Sequence, residues 1–518
     1  MKADRALFQL AYTVLQPGFE GTAAPDWVRR RLADGLGSVL LFARNIEGPG
    51  QTAALTAQLR AENADVVVAA DEEGGDVTRL DAATGSAYPG NLALGAVDDP
   101  ELTSRVACAL GRRLAAAGIG LDYAPDVDVN SNPDNPVIGV RSFGADPALV
   151  ARHAAAWVRG LQSAGVGACA KHFPGHGDTS IDSHFALPTV RLSLRDLAEV
   201  TLPPFQAAID AGARAVMLAH LLLPALDPDA PATVSPHAVR LLREELGFRG
   251  LIVTDAMEMR AVKDRYGLER AVVLAVAAGA DLVCIGHRGD AEIFDRLVAA
   301  LVDAVRTGKL AERRLAAAAA AVQRYAAWSR RALADANSGP VPGPDSSPAP
   351  DLDPDHPDPR PVPDRTEEQG VGLEAARRAL SVTVSAAGAL PLRSAPHVVA
   401  FTVNGSAALG SVAETSLGAR LADALSGTTR AVLGECGAAA VDRVLRDAAG
   451  RPLVLAVRSA HRHPWMREAL DLLLRARPDA IVAELGLPGT GPLGAAYLVA
   501  HGASAVCAQA VAEALTNP

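Results

Sequence analysis

Short apolar runs alternate with longer Ala- and Arg-rich stretches in the part of the chain before residue 336. Seven of these runs are predicted to be buried strands: Ser38 to Phe42, Val66 to Ala70, Ile119 to Tyr123, Val166 to Ala170, Ala215 to Ala219, Leu251 to Thr254 and Asp281 to Ile285. The stretches between them have the length and composition of helices. A strict alternation of strand and helix predicts a parallel α/β sheet covered by helices.

Polar side chains stand at or just after the end of nearly every run. They are Arg44, Asp71, Asp126, Lys171 with His172, His220, Asp255 and His287. In a closed (β/α)8 barrel the carboxyl ends of all strands meet at one mouth, where active sites are built. We therefore predict a (β/α)8 TIM-type barrel over residues 1–335, with the missing eighth strand assigned to Ala6 to Val14.

A change of composition divides the chain after this region. Between residues 336 and 365 Pro, Asp, Ser and Gly dominate, which predicts an extended linker because such a segment cannot bury apolar area. Residues 366–518 are predicted to form a smaller α/β sandwich. Its predicted strands are Val398 to Val403, Arg430 to Leu433, Leu453 to Val457 and Ile481 to Leu485. The segment Gly489 to Gly494 formally matches a dinucleotide-binding motif, but Pro492 inside it favours a plain turn.

Composition and charge narrow the classes of function. A net charge of -10 argues against a nucleic acid or an anionic membrane as partner. The N-terminus lacks an apolar signal core, and no apolar run approaches membrane-spanning length. The 5 cysteines are scattered singly, which suits a reducing compartment. We therefore expect a soluble cytoplasmic protein.

The segment from Lys171 to His184, KHFPGHGDTSIDSH, carries three histidines, two aspartates and a lysine in a glycine-broken loop. Such a set could bind zinc or non-haem iron. Neither a helical His-x-x-x-His nor a paired-cysteine spacing accompanies it, so we expect neither a metal nor another cofactor. A purely structural interpretation, with loop histidines bound to the backbone, is the other alternative.

Asp182 and His184 have one residue between them, which places both side chains on the same side of an extended loop. A carboxylate in that position can hold an imidazole in one tautomer and raise its pKa. The pair is predicted to act as a tuned acid/base. The alternative is a surface histidine without a catalytic role.

Two further patterns carry candidate chemistry. Asp255 ends a buried run, and a partly desolvated carboxylate there suits a nucleophile or acid; it could at the same time be a helix N-cap paired with Glu258. Asp71 and Arg79 flank a glycine pair. Together they could grip vicinal hydroxyls by paired hydrogen bonds, or could form a structural ion pair.

These stretches together resemble the β-N-acetylglucosaminidase branch of glycoside hydrolase family 3, in its two-domain form. The resemblance covers residues 7–334 well and the second part in outline. Its most specific part is the loop from Lys171 to Thr179 with Asp182-Ser-His184. Supporting matches are Asp71-Glu-Glu-Gly-Gly, Pro89-Gly-Asn91, Tyr123-Ala-Pro-Asp126, Asn135 to Phe143 and Thr254-Asp-Ala-Met257.

The resemblance implies a retaining enzyme. In this scheme Asp255 is the nucleophile that forms a glycosyl-enzyme, and His184, oriented by Asp182, is the acid/base. The family pattern assigns sugar binding to Asp71, Arg79, Arg141, Lys171 and His172. Asp76 stands where this branch often has a basic residue. The implied substrates are small carbohydrates with terminal β-linked N-acetylglucosamine, derived from peptidoglycan, with water or phosphate as acceptor.

Two alternatives stay open. The β-glucosidase and β-xylosidase branches of the family take their acid/base from a glutamate in the second domain, and Glu435 or Glu484 could fill that role. The protein could also be a catalytically inactive sugar-binding protein, although neither the aspartate nor the Asp-Ser-His segment is missing.

Overall fold

A computed structural model describes residues 2–183, 185–286, 290–337, 365–402, 413–435 and 438–517. His184, His287 and residues 338–364 of the predicted linker therefore lie outside the described residues. None of the described helices is both long and apolar enough to cross a lipid bilayer.

Eight parallel strands surround one core in the first part of the chain. They are β1 Leu15–Pro17, β2 Ser38–Leu41, β3 Val67–Ala70, β4 Leu121–Asp122, β5 Gly167–Phe173, β6 Ala215–Leu218, β7 Leu251–Thr254 and β8 Val283–Ile285. Strands β2 to β7 pair in chain order, and β8 pairs with β1. A bridge between Val253 and Leu282 joins β7 to the start of β8, and Gln16 Nε2 donates to Ser38 Oγ (2.6 Å) between β1 and β2. The predicted (β/α)8 barrel is confirmed.

Helices precede and follow the strands. They are α1 Lys2–Val14, α2 Asp26–Asp34, α3 Pro49–Glu62, α4 Asn91–Val97, α5 Pro100–Ala116, α6 Pro147–Ser163, α7 Leu194–Asp196, α8 Leu202–Asp210, α9 Pro236–Arg240, α10 Arg260–Tyr266, α11 Leu268–Ala278, α12 Ala291–Arg306 and α13 Glu312–Asn337. Aspartates at the N-caps start α5 and α6, where Asp99 and Asp146 accept backbone N–H groups ahead of a proline.

The strand predicted at residues 6–14 is wrong. These residues belong to α1, and the first strand begins at the next residue, Leu15. Leu7, Ala11 and Val14 are buried at helical spacing, whereas Gln9 is exposed. The apolar positions of this segment therefore follow the 3.6-residue period of a helix that packs on the core.

Side chains fill the barrel interior, and α13 covers its amino-terminal end. Met217, Val253 and Cys284 from three of the strands share one apolar cluster with Val322 and Tyr325 of α13. The Tyr325 hydroxyl also donates to the backbone carbonyl of Gly120 (2.8 Å). This end of the barrel is a packed core, so a ligand has access from the opposite, carboxyl end of the strands.

The second part of the chain builds a separate six-stranded sheet. Its strands are β9 Ser381–Val384, β10 His397–Phe401, β11 Thr429–Leu433, β12 Leu453–Val457, β13 Ile481–Glu484 and β14 Ala496–Val499, and its helices are α14 Arg365–Ala379, α15 Ala413–Ala424, α16 Ala438–Asp447, α17 Pro464–Ala476 and α18 Ala505–Thr516. The strand order is β11-β10-β12-β13-β14-β9, with β9 antiparallel to its neighbour.

Alternate residues of the inner strands face opposite layers of helices. Val454 packs in the cluster that holds Leu417 of α15 and Val511 of α18. Its neighbour Leu455 packs in the cluster that holds Met466 of α17. This two-residue period buries both faces of the sheet and confirms the predicted α/β sandwich.

The glycine motif has no dinucleotide geometry. Gly489 to Gly494 connects β13 to β14, so it leads into a strand. A dinucleotide site requires a helix to begin at this point, because the helix N-terminus binds the pyrophosphate. The plain turn is therefore the correct interpretation.

We predict that Gly167→Ala destabilises the barrel by about 1–3 kcal/mol. An added Cβ would collide with the Tyr325 hydroxyl and lie 3.0 Å from the Trp328 ring, inside the closed end of the barrel. Gly50→Ala in α3 is the control, since nothing lies within 4 Å of its Cβ and alanine favours a helix. Thermal unfolding should show a lower Tm for the first variant alone; equal Tm values would contradict the packing described here.

Candidate active site

A cavity of about 580 Å³ opens among the carboxyl ends of the barrel strands. Six of the eight predicted site residues line it: Asp71, Arg79, Arg141, Lys171, His172 and Asp255. They follow or end β3, β4, β5 and β7, so the strand ends converge on one mouth as the sequence pattern predicted. Phe42, Met217 and Met259 add apolar surface to the same cavity.

Lys171 lies at the centre of a buried ionic network. Its side chain is 2% exposed, and its ammonium contacts the carboxylate of Asp71 and Glu73 Oε1 (2.6 Å). Burial opposes a charged ammonium, but Asp71 and Glu73 outweigh it and hold the pKa of Lys171 above its ordinary value. The lysine is therefore a fixed cation at physiological pH.

Arg141 completes this network from the loop after β4. Its Nε and Nη2 donate to the two oxygens of Glu73 at 2.9 and 2.7 Å. Burial alone would raise the pKa of Glu73, yet Arg141 and Lys171 lower it, so Glu73 is ionised. A forked guanidinium–carboxylate pair fixes both the distance and the orientation of its partners.

Asp128 accepts hydrogen bonds from two histidines of the loop between Lys171 and His184. Its Oδ2 lies 2.7 Å from His172 Nδ1, and its Oδ1 accepts the backbone N–H of His176 (2.6 Å). The other imidazole nitrogen of His172, Nε2, lies 3.3 Å from Arg141 Nη2. With Nδ1–H donating to Asp128, Nε2 is left as an acceptor beside the cavity.

The ring of His176 has a structural role, but its partners are side-chain hydroxyls and not the backbone groups considered from the sequence. Nδ1 lies 2.8 Å from Thr179 Oγ1, and Nε2 lies 3.1 Å from Ser183 Oγ. Burial and the nearby His172 lower the pKa of His176 to about 4, so the ring stays neutral above that pH. Its ring thus links the start of the segment 176–183 to Thr179 and to Ser183 at the end of the segment.

Asp126, Asp128 and His172 form a group whose ligand atoms all lie within 4.8 Å of one another. These are oxygen and nitrogen donors of the types that bind zinc or iron. However, the Arg141 guanidinium lies 3.5 Å from Asp126 Oδ2, and Asp128 already accepts several hydrogen bonds. A guanidinium thus supplies the local positive charge, and the absence of a metal stays a prediction.

Asp71 and Arg79 approach each other at the rim. Arg79 Nη2 lies 3.4 Å from Asp71 Oδ2, and the Asp71 side chain keeps 26% of its surface exposed. Burial would raise the pKa of Asp71, but Lys171 and Arg79 lower it. The structure shows the ion pair, and both residues line the cavity; the binding of vicinal hydroxyls stays a prediction.

Glu72 anchors the loop between these two residues from the opposite side. Its Oε2 accepts the backbone N–H groups of Arg79 (2.7 Å) and Leu80 (2.8 Å), and its own N–H donates to Asp122 Oδ1 (2.9 Å). Asp71 and Glu73 face the pocket while Glu72 is buried behind them.

Asp255 follows β7 directly. Its N–H donates to the Leu218 carbonyl (3.1 Å) of the neighbouring strand, and its Oδ1 accepts the N–H of Ala256 (2.7 Å). The N-cap interpretation is wrong, because the next helix, α10, begins at Arg260. Glu258 accepts from the Gly286 N–H (3.1 Å), so it does not complete a capping box.

His184 lies outside the described residues, but the residues around it are placed. Ser183 and Phe185 line the cavity. Asp182 is buried, and its carbonyl accepts the N–H groups of Phe185 (3.0 Å) and Ala186 (3.2 Å). The described neighbours of His184 on both sides therefore border the mouth, and the acid/base role of the pair stays a prediction.

Glu73, Asp128 and His176 were not assigned as site residues from the sequence. A signal for two of them exists in the spacing, since Glu73 is two residues after Asp71 and Asp128 is two residues after Asp126. In extended chain such residues share a side. His176 has no comparable signal, because its partners Thr179 and Ser183 meet it only through the turn of the loop.

Comparison with known proteins decides the family. Residues 21–325 match the Glycosyl hydrolase family 3 N terminal domain. The chain belongs to glycosyl hydrolase family 3. This confirms the resemblance found in the sequence, and the protein is a glycoside hydrolase by that membership.

Solved and curated relatives agree with this assignment. A family 3 β-N-acetylglucosaminidase from Paenibacillus sp. str. FPU-7 superposes with a TM-score of 0.86 at 34% identity, covering 98% of this chain and 96% of that one. A β-N-acetylhexosaminidase from Beutenbergia cavernae DSM 12333 has a TM-score of 0.56 at 32% identity, covering 63% and 98%. Beta-hexosaminidase A of Pseudoalteromonas piscicida is 36% identical over 332 residues, which span 58% of this chain and 56% of the relative.

The two glutamates considered as alternative acid/base residues of this family 3 enzyme are not among the described residues that line the cavity. Glu484 ends β13 inside the second domain, where it accepts backbone N–H groups of Ser459 (2.6 Å) and Gly486 (2.8 Å). Burial raises the pKa of Glu484 to about 8. Glu435 is exposed after β11. Their positions give no support to the glucosidase-type alternative.

The buried carboxyl group of Glu72 should make the free energy of unfolding depend on pH. Burial raises the pKa of Glu72 from 4.5 to about 7, so the folded protein binds this proton more tightly than the unfolded chain. The free energy of unfolding should therefore fall by roughly 3 kcal/mol from this group as pH rises from about 4.5 to 7.

Glu72→Gln should remove this part of the pH dependence, and the exposed Glu47→Gln should not. Denaturant unfolding at pH 5 and pH 8 measures the difference in the free energy of unfolding for each variant. If the Glu72 variant shows the same pH dependence as the parent protein, the glutamate does not bind a proton in this range.

Proposed function

We propose that this glycoside hydrolase removes terminal β-linked N-acetylglucosamine by a retaining double displacement. The observation that carries the proposal is one cavity that combines the Asp255 carboxylate with the charged groups of Asp71, Lys171 and Arg79. The names of the relatives, β-N-acetylglucosaminidase and β-hexosaminidase, support the same substrate class.

Sugar hydroxyls are the proposed ligands of the ionic network. A hydroxyl can donate to the partly exposed carboxylate of Asp71 and accept from Arg79 or Lys171, which is the paired contact that vicinal diols offer. Arg141 and His172 also line the cavity, and they are proposed to bind the sugar as well. Because the charges are already paired, the pocket needs little reorganisation when the sugar binds.

Asp255 is the proposed nucleophile. One of its oxygens would attack the anomeric carbon as the bond to the leaving oxygen breaks, giving a covalent glycosyl-enzyme. Attack by water or phosphate on the same carbon then releases Asp255 and inverts the configuration a second time, so the product keeps the β configuration. The Ala256 N–H at 2.7 Å from Asp255 Oδ1 fixes the orientation of the carboxyl group.

His184, oriented by Asp182, is the proposed acid/base. Its imidazolium would give a proton to the leaving oxygen, and the neutral ring would take a proton from the acceptor in the second step. A neutral imidazole repels an anion less than a carboxylate does, which allows phosphate as an acceptor beside water. Peptidoglycan-derived saccharides and a cytoplasmic location are part of this proposal.

We expect Asp255→Asn to lower kcat/KM by at least about 10³-fold while the protein stays folded. The amide oxygen can still accept the Ala256 N–H, but it cannot form the glycosyl-enzyme. The measurement is turnover of an aryl β-N-acetylglucosaminide, with Asp264→Asn, an exposed aspartate of α10, as control. Retained turnover in the Asp255 variant would show that another group is the nucleophile.

We expect His184→Ala to lower kcat/KM more for substrates with poor leaving groups than for aryl glycosides, because an aryl leaving group needs little protonation. The loss should be on the order of 10²-fold or more for an alkyl or sugar aglycone. His237→Ala, an exposed histidine of α9, is the control. Equal losses on both kinds of substrate would count against His184 as the acid.

A further inference from the structure

The second domain contacts the backs of the two loops that bring Glu73 and Arg141 into the pocket. We propose that it is a positioning element of the sugar site, acting mainly through the ion pair between Asp76 of the barrel and Arg458 of the sandwich. The role in sugar binding rests on the proposed function; the role in holding the loops does not.

Asp76 is the main link between the domains on the first loop. Its side chain is 1% exposed, its Oδ2 contacts Arg458 Nη2, and its Oδ1 accepts the N–H of Ala503 (2.8 Å). Both partners belong to the second domain. The buried carboxylate therefore depends on that domain for its counter-charge and for one backbone donor.

The position of Asp76 is transmitted to Glu73 through a tight turn. Glu73 N–H donates to the Val77 carbonyl (3.0 Å), and Gly74 and Val77 form a β-bridge around Asp76. A turn closed by these bonds moves as a unit. Displacing Asp76 would thus displace the carboxylate that holds both Lys171 and Arg141.

The second loop is contacted in the same way. Arg462 Nη2 donates to the Asp134 carbonyl (3.2 Å), five residues before Gly139, and a Cβ on Gly139 would lie 3.4 Å from Leu487. Arg462 and Leu487 belong to the second domain. The loop that ends in Arg141 is therefore also held from behind.

The second domain also approaches the Glu73–Arg141 pair through the turn at His501 and Gly502. Between these residues and the turn at His501 and Gly502 only about 10 Å³ of space remains. A space of that size holds at most about one water. The second domain thus packs closely against the outer side of the pair whose inner side faces the sugar cavity.

A second ion pair between the domains serves as a control, because it joins the domains without holding either loop. Arg105 Nη2 of α5 lies 2.7 Å from Glu374 Oε2 of α14, with 51% and 41% of the two side chains exposed. This pair joins the same two domains but touches neither loop. A substitution of Glu374 therefore weakens only the contact between the domains and leaves the contacts to both loops in place.

The experiment compares Arg458→Ala, Arg458→Lys and the control Glu374→Ala. For Arg458→Ala we expect KM for an aryl β-N-acetylglucosaminide to rise on the order of 10-fold, because the unpaired Asp76 carboxylate is buried and its turn shifts. Hydrogen exchange of residues 71–79 and 134–141 should become faster. Arg458→Lys should restore part of both effects, and Glu374→Ala should leave both unchanged.

Two outcomes would overturn the inference: unchanged exchange of both loops in Arg458→Ala, or equal effects in Arg458→Ala and Glu374→Ala. The exchange measurement does not depend on the substrate. If the parent protein fails to turn over the glycoside while Arg458→Ala still loosens both loops, the proposed activity is contradicted and the positioning role stands.

Discussion

The burial of one ammonium group constrains this active site more than any other interaction. Lys171 is almost fully buried, and an unpaired buried cation would cost several kcal/mol, so two carboxylates must reach it. Asp71 and Glu73 do so, and Glu73 in turn holds Arg141. Loops after β3 and β4 are thereby fixed relative to β5. The same charges that neutralise the lysine form the polar wall of the cavity, so the groups proposed to bind sugar hydroxyls also stabilise the mouth.

The fold was largely predictable because buried parallel strands are continuous apolar runs. The run Leu251 to Thr254 coincides with β7, and the other predicted runs overlap the observed strands. The failures have physical causes. The first strand is only three residues long, too short to stand out as an apolar run, and the missing strand was assigned instead to the helix directly before it. Strand β9 is exposed along its whole length, so no buried run marks it.

The candidate site was predictable where a polar side chain stands at the end of a strand, as for Asp71, Lys171 and Asp255, which all line the cavity. It was less predictable where a role depends on contacts between distant segments. The spacing of Glu73 and Asp128 from Asp71 and Asp126 gives a signal, but their roles depend on partners from other strands and loops that the sequence does not reveal. Asp76, which departs from the basic residue often found in this branch, meets an arginine and a backbone N–H of the second domain, where a basic residue would be repelled.

The most direct test of the account is an NMR time course of the purified protein with an aryl β-N-acetylglucosaminide in phosphate buffer, read before mutarotation. We expect the first product, free sugar or sugar 1-phosphate, to have the β configuration, because two displacements at the anomeric carbon restore it. A product that first appears in the α configuration would contradict the covalent role of Asp255 and the retaining mechanism.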